Sequence, residues 1–169
     1  QTLTVSMLDC IERIPSLIKA IFENRETVQK EVLDYLGEEG LSRLSGMVFV
    51  GSGTSSTSAI TASYFANKVA GIPVSATIPS DFCYHTYHYD PNALYVFISQ
   101  TGTSKLTKQA MDVIKAKGYR CVCVSESRNT PRPKKLPAFL IWAADTRSIR
   151  CVPLAIVRLF LHYRCLLLK

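Results

Sequence analysis

The feature that most constrains this chain is an alternation. Short apolar runs end in Gly/Ser/Thr turns, and helical patterns closed by glycine follow two of them. Met47 to Val50 runs into Gly51-Ser52-Gly53-Thr54-Ser55-Ser56, and Thr54 to Ala70 has helical spacing up to Gly71. Val74 to Ile78 is the second run. Leu94 to Ser99 is the third, and it opens into Gln100-Thr101-Gly102-Thr103-Ser104. A helix over Lys105 to Lys117 follows, closed by Gly118, and then a fourth run, Arg120 to Ser125. Apolar runs of four to six residues separated in this way read as buried parallel strands. The expected fold is therefore α/β, a doubly wound open parallel sheet of flavodoxin-like type in three αβα layers. The expected strand order is 2-1-3-4. Its switch point lies between the first and third strands, where ligands bind beyond the carboxyl ends.

Before the first strand, Leu8, Ile11, Ile14, Leu17, Ile18 and Ile21 recur at helical steps, interrupted by Pro15. A further helix spans about Glu26 to Leu36 and stops at Gly37 and Gly40. Residues 1–45 thus form helices that pack on the sheet or on a partner chain. In the helix after the first strand, Ala59, Ala62, Phe65, Ala66 and Val69 form the expected inner face.

Both Ser/Thr/Gly loops leave the strands that flank the switch point, so they should converge on one crevice. Hydroxyl side chains there add donors to the backbone N–H groups of a helix start, an arrangement suited to a small anion. Helix capping is the alternative for either loop alone. A dinucleotide site fits poorly, because the third glycine of its fingerprint is Ser56. Asp81 also lies 28 residues after Gly53, where a ribose-binding acid should stand about 20 residues on. No lysine completes a Walker loop. No cofactor is expected.

The formal charge of +7 suggests nucleic acid or membrane until its position is considered. Residues 1–131 hold 12 basic and 12 acidic side chains, and residues 132–169 hold eight basic and one acidic. No apolar run reaches the roughly 18 residues of a membrane span, and no signal peptide is seen. None of the six cysteines has CxxC spacing, and His85, His88 and His162 complete no zinc pattern, so no metal is expected. Cys121 and Cys123 alternate on one strand and read as buried reduced thiols, consistent with a cytoplasmic protein.

The segments Met47 to Ser56 and Tyr95 to Ser104 resemble the two signature segments of sugar isomerase (SIS) domains. The likeness is to the isomerase half of glutamine–fructose-6-phosphate transaminase and to fructosamine-phosphate deglycases, and it runs from about Met7 to Pro131. It implies phosphate binding by Ser99, Gln100, Thr101 and Ser104. It implies sugar contacts from Ser52, Gly53, Thr54 and Ser55. The family's transaminases commonly carry Glu at the position of Thr103, so this chain leans toward deglycase-like branches. The implied function is half of an isomerase-, aminotransferase- or deglycase-like enzyme acting on hexose 6-phosphates, through an enediol-type or imine intermediate. A homodimer or higher oligomer is implied too, because the family completes the site across an interface. A non-catalytic phosphosugar sensor is the alternative. Nucleic-acid and membrane binding are not expected.

No catalytic residue emerges from the sequence. His85 or His88, in the aromatic stretch Phe82 to Tyr89, could supply an imidazole, but packing on a neighbouring helix or subunit is the preferred reading. Residues 46–131 form the single core, and 132–169 are atypical. No glycine occurs after Gly118, and arginines interrupt the apolar stretches irregularly. A fifth strand and closing helix belong there, yet the segment spells neither clearly. Codons for Pro133 to Val157, read from the third base, can spell a stretch similar to the family's strand, Gly-Cys-Gly turn and closing helix. The segment from near Arg132 is therefore expected to be out of frame.

Overall fold

The computed structural model describes residues 7–12, 14–23, 25–69, 71–99, 102–125 and 139–141. Three helices come first: α1 (Met7–Glu12), α2 (Ile14–Glu23) and α3 (Arg25–Ser42). Helix α3 continues past Leu36 through a kink at Gly37, so the expected stop is only a bend. The sheet elements follow as β1 (Gly46–Gly51), α4 (Thr54–Val69), β2 (Val74–Thr77), α5 (Pro79–Tyr84), β3 (Ala93–Ile98), α6 (Lys105–Ala116), β4 (Cys121–Ser125) and β5 (Phe139–Ile141).

All strand pairs are parallel, in the order β2-β1-β3-β4-β5. The first four strands take the expected order. β5 lies in the stretch that reads as neither strand nor helix by pattern. The other residues of 132–169 lie outside the described residues, as do Gln100 and Thr101.

Alternation along each strand sends side chains to two cores. On one face Met47, Phe49, Leu94, Val96, Ile98, Val122 and Val124 meet Val32 and Leu36 of α3 and Ala59, Ala62 and Ala66 of α4. On the other, Val50, Tyr95, Phe97, Cys121 and Cys123 meet Phe82 of α5 and Ala110, Met111 and Ile114 of α6. The small residues of α4 let it approach the sheet closely. Phe65 is 45% exposed, a correction to the expected inner face. It sits one residue off the Ala59–Ala62–Ala66 stripe, and a ring would not fit the close contact. The α1 and α2 residues Leu8, Ile11 and Ile14 are exposed.

Phe82 anchors an edge-to-face cluster with Tyr89, Tyr95 and Phe97. The aromatic connection is thus partly core, which its sequence pattern hid behind polar neighbours. Burial pushes the Cys121 thiol up to about 11 and the Cys123 thiol up to about 12. Both are free and buried on one face, as the alternation implied.

Candidate functional site

The register pairs Gly51 with Ile98, the last residues of β1 and β3. Neighbouring strands lie about 4.8 Å apart, so the loops after them start side by side. Helix α4 rises from the first loop and packs on one face of the sheet. Helix α6 rises from the second loop and packs on the other face. Both N-termini lie at the carboxyl edge, each with the partial positive charge of a helix start.

In the first loop the chain turns through Gly53 at φ 58°. The Ser55 N–H donates to the Ser52 carbonyl at 3.2 Å, and Ser56 donates to Gly53 at 3.0 Å. Gly51 is required by a close approach. A Cβ there would stand 2.9 Å from the Ser55 carbonyl carbon and 3.0 Å from its oxygen. The missing side chain lets α4 begin directly over the strand end and seats Ser55 against it. Ser52, Gly53 and Thr54 are exposed, and Ser55 is buried.

In the second loop the Ser99 N–H donates to the Val124 carbonyl at 2.9 Å, and Gly102 donates to the Ser99 carbonyl at 3.3 Å. Ser104 caps α6. Its Oγ accepts from the Thr107 N–H at 3.4 Å and from the Thr107 hydroxyl at 3.0 Å. The capping alternative is therefore realised at Ser104, although a capping hydroxyl keeps a proton of its own to donate.

The described residues include six buried polar side chains: Ser55, Ser58, Ser63, Ser99, Thr107 and Ser125. Ser58 donates to the Thr54 carbonyl, Ser63 to the Ile60 carbonyl and Thr107 to Ser104. Ser125 is engaged as well. Among the described residues, no hydrogen-bond partner is found for the hydroxyls of Ser55, 9% exposed, and Ser99, 7% exposed. Among the described residues, no fully sealed side-chain polar atom lacks a partner. Ser55 comes from the first loop and Ser99 from the second. Unpartnered buried hydroxyls are costly unless a ligand or water completes them.

Neither His85 nor His88 lies on the two loops. The Asp90 carboxylate accepts from the Ser45 hydroxyl and the Asn92 N–H, beside the amino ends of β1 and β3. His88 stands two residues before Asp90, and its charge is the smallest of the influences on the lowered Asp90 pKa. His85 ends α5 as its C-cap. Between residues 46 and 104 the acidic side chains are Asp81 and Asp90. Asp81, in the first turn of α5, follows β2, which is one strand from β1 and two from β3. Among the described residues no group of His, Cys, Asp and Glu could hold a metal ion. No helix among them is long and apolar enough to cross a membrane.

No family model matches the chain. In sequence it is 32% identical over 108 residues to the glutamine–fructose-6-phosphate aminotransferase (isomerizing) of Vibrio parahaemolyticus, covering 62% of this chain and 18% of that enzyme. The chain therefore spans less than a fifth of that relative's length. In structure it is similar to a candidate phosphosugar isomerase from Clostridium difficile 630. The TM-score is 0.73 at 22% identity, over 92% of this chain and 45% of that one. It is also similar to the sugar isomerase domain of an RpiR transcription factor from Sphaerobacter thermophilus. There the TM-score is 0.57 at 16% identity, over 91% of this chain and 94% of that one. The resemblance read from the two loop segments is thus met both in sequence and in fold.

Proposed function

From its sequence relationship to the aminotransferases and its phosphosugar-isomerase fold, we propose that this chain is a phosphosugar-binding domain. Its substrate class is the hexose 6-phosphates, held in the crevice between the loops after β1 and β3. The observation that carries this reading is the pair of buried hydroxyls, Ser55 and Ser99, one from each loop, that have no partner among the described residues, at the starts of α4 and of the loop into α6. A phosphate offers several acceptor oxygens at once and suits converging hydroxyl and N–H donors. Ser99, Gln100, Thr101 and Ser104 take the phosphate in this reading. Ser52, Gly53, Thr54 and Ser55 take the sugar.

Family chemistry would move a proton alpha to a carbonyl with a carboxylate or imidazole. The loop segments Gly51–Ser56 and Ser99–Ser104 carry neither. The proton-transfer groups are therefore assigned to a second half or a second subunit, with the protein a cytoplasmic homodimer or larger assembly. Residues 46–131 form the binding core, 1–45 the supporting helices and 132–169 an out-of-frame tail. Resequencing the gene, with the intact mass of the protein, tests the last point. An uninterrupted frame would remove it.

Melting shifts with a panel of sugar phosphates test the binding claim. At least one hexose 6-phosphate raises the melting temperature of the wild type, and Ser99→Ala and Thr101→Ala lose most of the shift. A wild type that responds to none, or variants that respond equally, overturns the assignment. The second reading is a phosphosugar sensor without catalysis. It is favoured by the two loops themselves, Gly51–Ser56 and Ser99–Ser104, carrying no acid and no histidine, and by the fold shared with a regulator's sugar isomerase domain. Turnover of fructose 6-phosphate separates the two, since stabilisation follows from binding alone.

A further inference from the structure

We infer that Thr107 is a positioning residue for the anion site, holding the Ser104 hydroxyl as an obligate donor. This rests on the phosphate reading above. Thr107 is the third residue of α6 and 2% exposed, so its side chain is not itself available to a ligand. Its backbone N–H and its hydroxyl both end on Ser104 Oγ, at 3.4 and 3.0 Å. A serine hydroxyl has two lone pairs and one proton. Two hydroxyls can bond in either direction, but the buried Thr107 hydroxyl has no other acceptor among the described residues, so it is the donor. Both Ser104 lone pairs are then engaged, and Ser104 acts toward anything else as a donor.

The consequence is selectivity for anionic oxygen. A free serine hydroxyl rotates and meets donors or acceptors alike. Ser104 is held by Thr107 and is itself half-exposed, which leaves its proton for a group outside α6. The Ser99 hydroxyl, at the start of the same loop, is buried without a partner among the described residues. Ser104 calls for an acceptor, and Ser99 independently leaves a partner unfilled at the start of the same loop. The residue type fits as well. Helix starts commonly carry Glu or Gln at this third position to close a capping box. A carboxylate there would set a negative charge against the anion. Threonine supplies the reciprocal bond to the cap without that charge.

The test is a double-mutant cycle read by calorimetry with fructose 6-phosphate, using wild type, Thr107→Val, Ser104→Ala and the double variant. Valine keeps the buried volume and the backbone cap and removes only the hydroxyl. Thr107→Val is expected to weaken binding by about three- to tenfold. Thr107→Ser restores it. In the Ser104→Ala background Thr107→Val has no further effect, because its action runs through Ser104. A purely structural role would give a penalty that persists in that background. That outcome overturns the inference, as does wild-type affinity in Thr107→Val when Ser104→Ala binds weakly. If wild type does not bind fructose 6-phosphate or any other hexose 6-phosphate, the functional reading falls first and this inference with it. Melting curves without ligand identify a variant that fails to fold, and the Thr107→Ser result then decides: binding unlike wild type overturns the assignment.

Discussion

The two ends of the central sheet are built from similar residues and left in opposite states. At the amino end three hydroxyls have partners from the chain itself. Ser45 donates to Asp90 at 2.6 Å, Tyr95 donates to the Asp90 carbonyl at 3.0 Å and Tyr89 donates to the Phe82 carbonyl at 2.6 Å. At the carboxyl end Ser55 and Ser99 are buried, and their hydroxyls have no partner among the described residues. The first end is finished by its own chain. The second holds donors ready for something from outside. In a parallel sheet this asymmetry has a physical source. The helices that follow β1 and β3 start at the carboxyl edge, so positive helix ends and orphan N–H groups collect there.

Paired glycine substitutions should break the comparison with the largest effect. A Cβ at Gly46 would stand 2.6 Å from the Pro73 carbonyl oxygen, and one at Gly51 would meet the Ser55 backbone. Neither backbone can yield cheaply. Each Gly→Ala change is expected to cost about 1–3 kcal/mol of stability in chemical denaturation. Only Gly51→Ala should also abolish fructose 6-phosphate binding, since it lifts α4 and Ser55 off the strand end. Equal loss of binding in both would mean that the ends are not functionally distinct.

Serine truncation sharpens the contrast. Ser45→Ala removes a donor from an ionised partner and is expected to cost about 1 kcal/mol with unchanged ligand affinity. Ser99→Ala removes a hydroxyl that the free protein does not use. Its stability should equal or slightly exceed that of wild type, while fructose 6-phosphate affinity falls about tenfold. Denaturation and calorimetry on the same two variants check this. A Ser99→Ala protein that is less stable and binds normally would reverse the assignment.

The smallest effect is a pH dependence at the amino end. The Ser45 hydroxyl, and after it the Asn92 N–H, hold the Asp90 carboxyl below its ordinary value. A depressed carboxyl contributes stability above its unfolded value and loses it as pH falls through the folded one. The window therefore lies below about pH 4. Wild type should be slightly more stable than Asp90→Asn at neutral pH, and the gap should close as the acid is titrated. A gap unchanged at pH 3 would show that the carboxylate charge does not matter there.

Much of this architecture is legible in the residues. Apolar runs ending in Gly51 and Ser99, with helical spacing after each, specify parallel strands and a crossover chain. That topology alone brings the Gly51–Ser56 and Ser99–Ser104 loops together. What escaped the pattern is instructive. Phe82 stands among Cys83, Tyr84 and His85, so its short helix has no readable periodicity, yet it anchors the second core. Phe65 reads as an inner residue of α4, but the alanine stripe beside it takes the sheet contact and leaves the ring outside. β5 is three residues long and is defined only by its pairing with β4.

The sequence by itself determined the strand order, the two loops at the switch point and the neutral balance of the first 131 residues, because each depends on local spacing and composition. Only the tertiary structure decided which hydroxyls are already used. Ser45, Ser58, Ser63, Ser99 and Ser104 are the same residue type in similar polar surroundings. Whether each oxygen finds a carboxylate, a carbonyl, a neighbouring threonine or no partner depends on groups brought within about 3 Å by packing, and residue spacing cannot encode that distance.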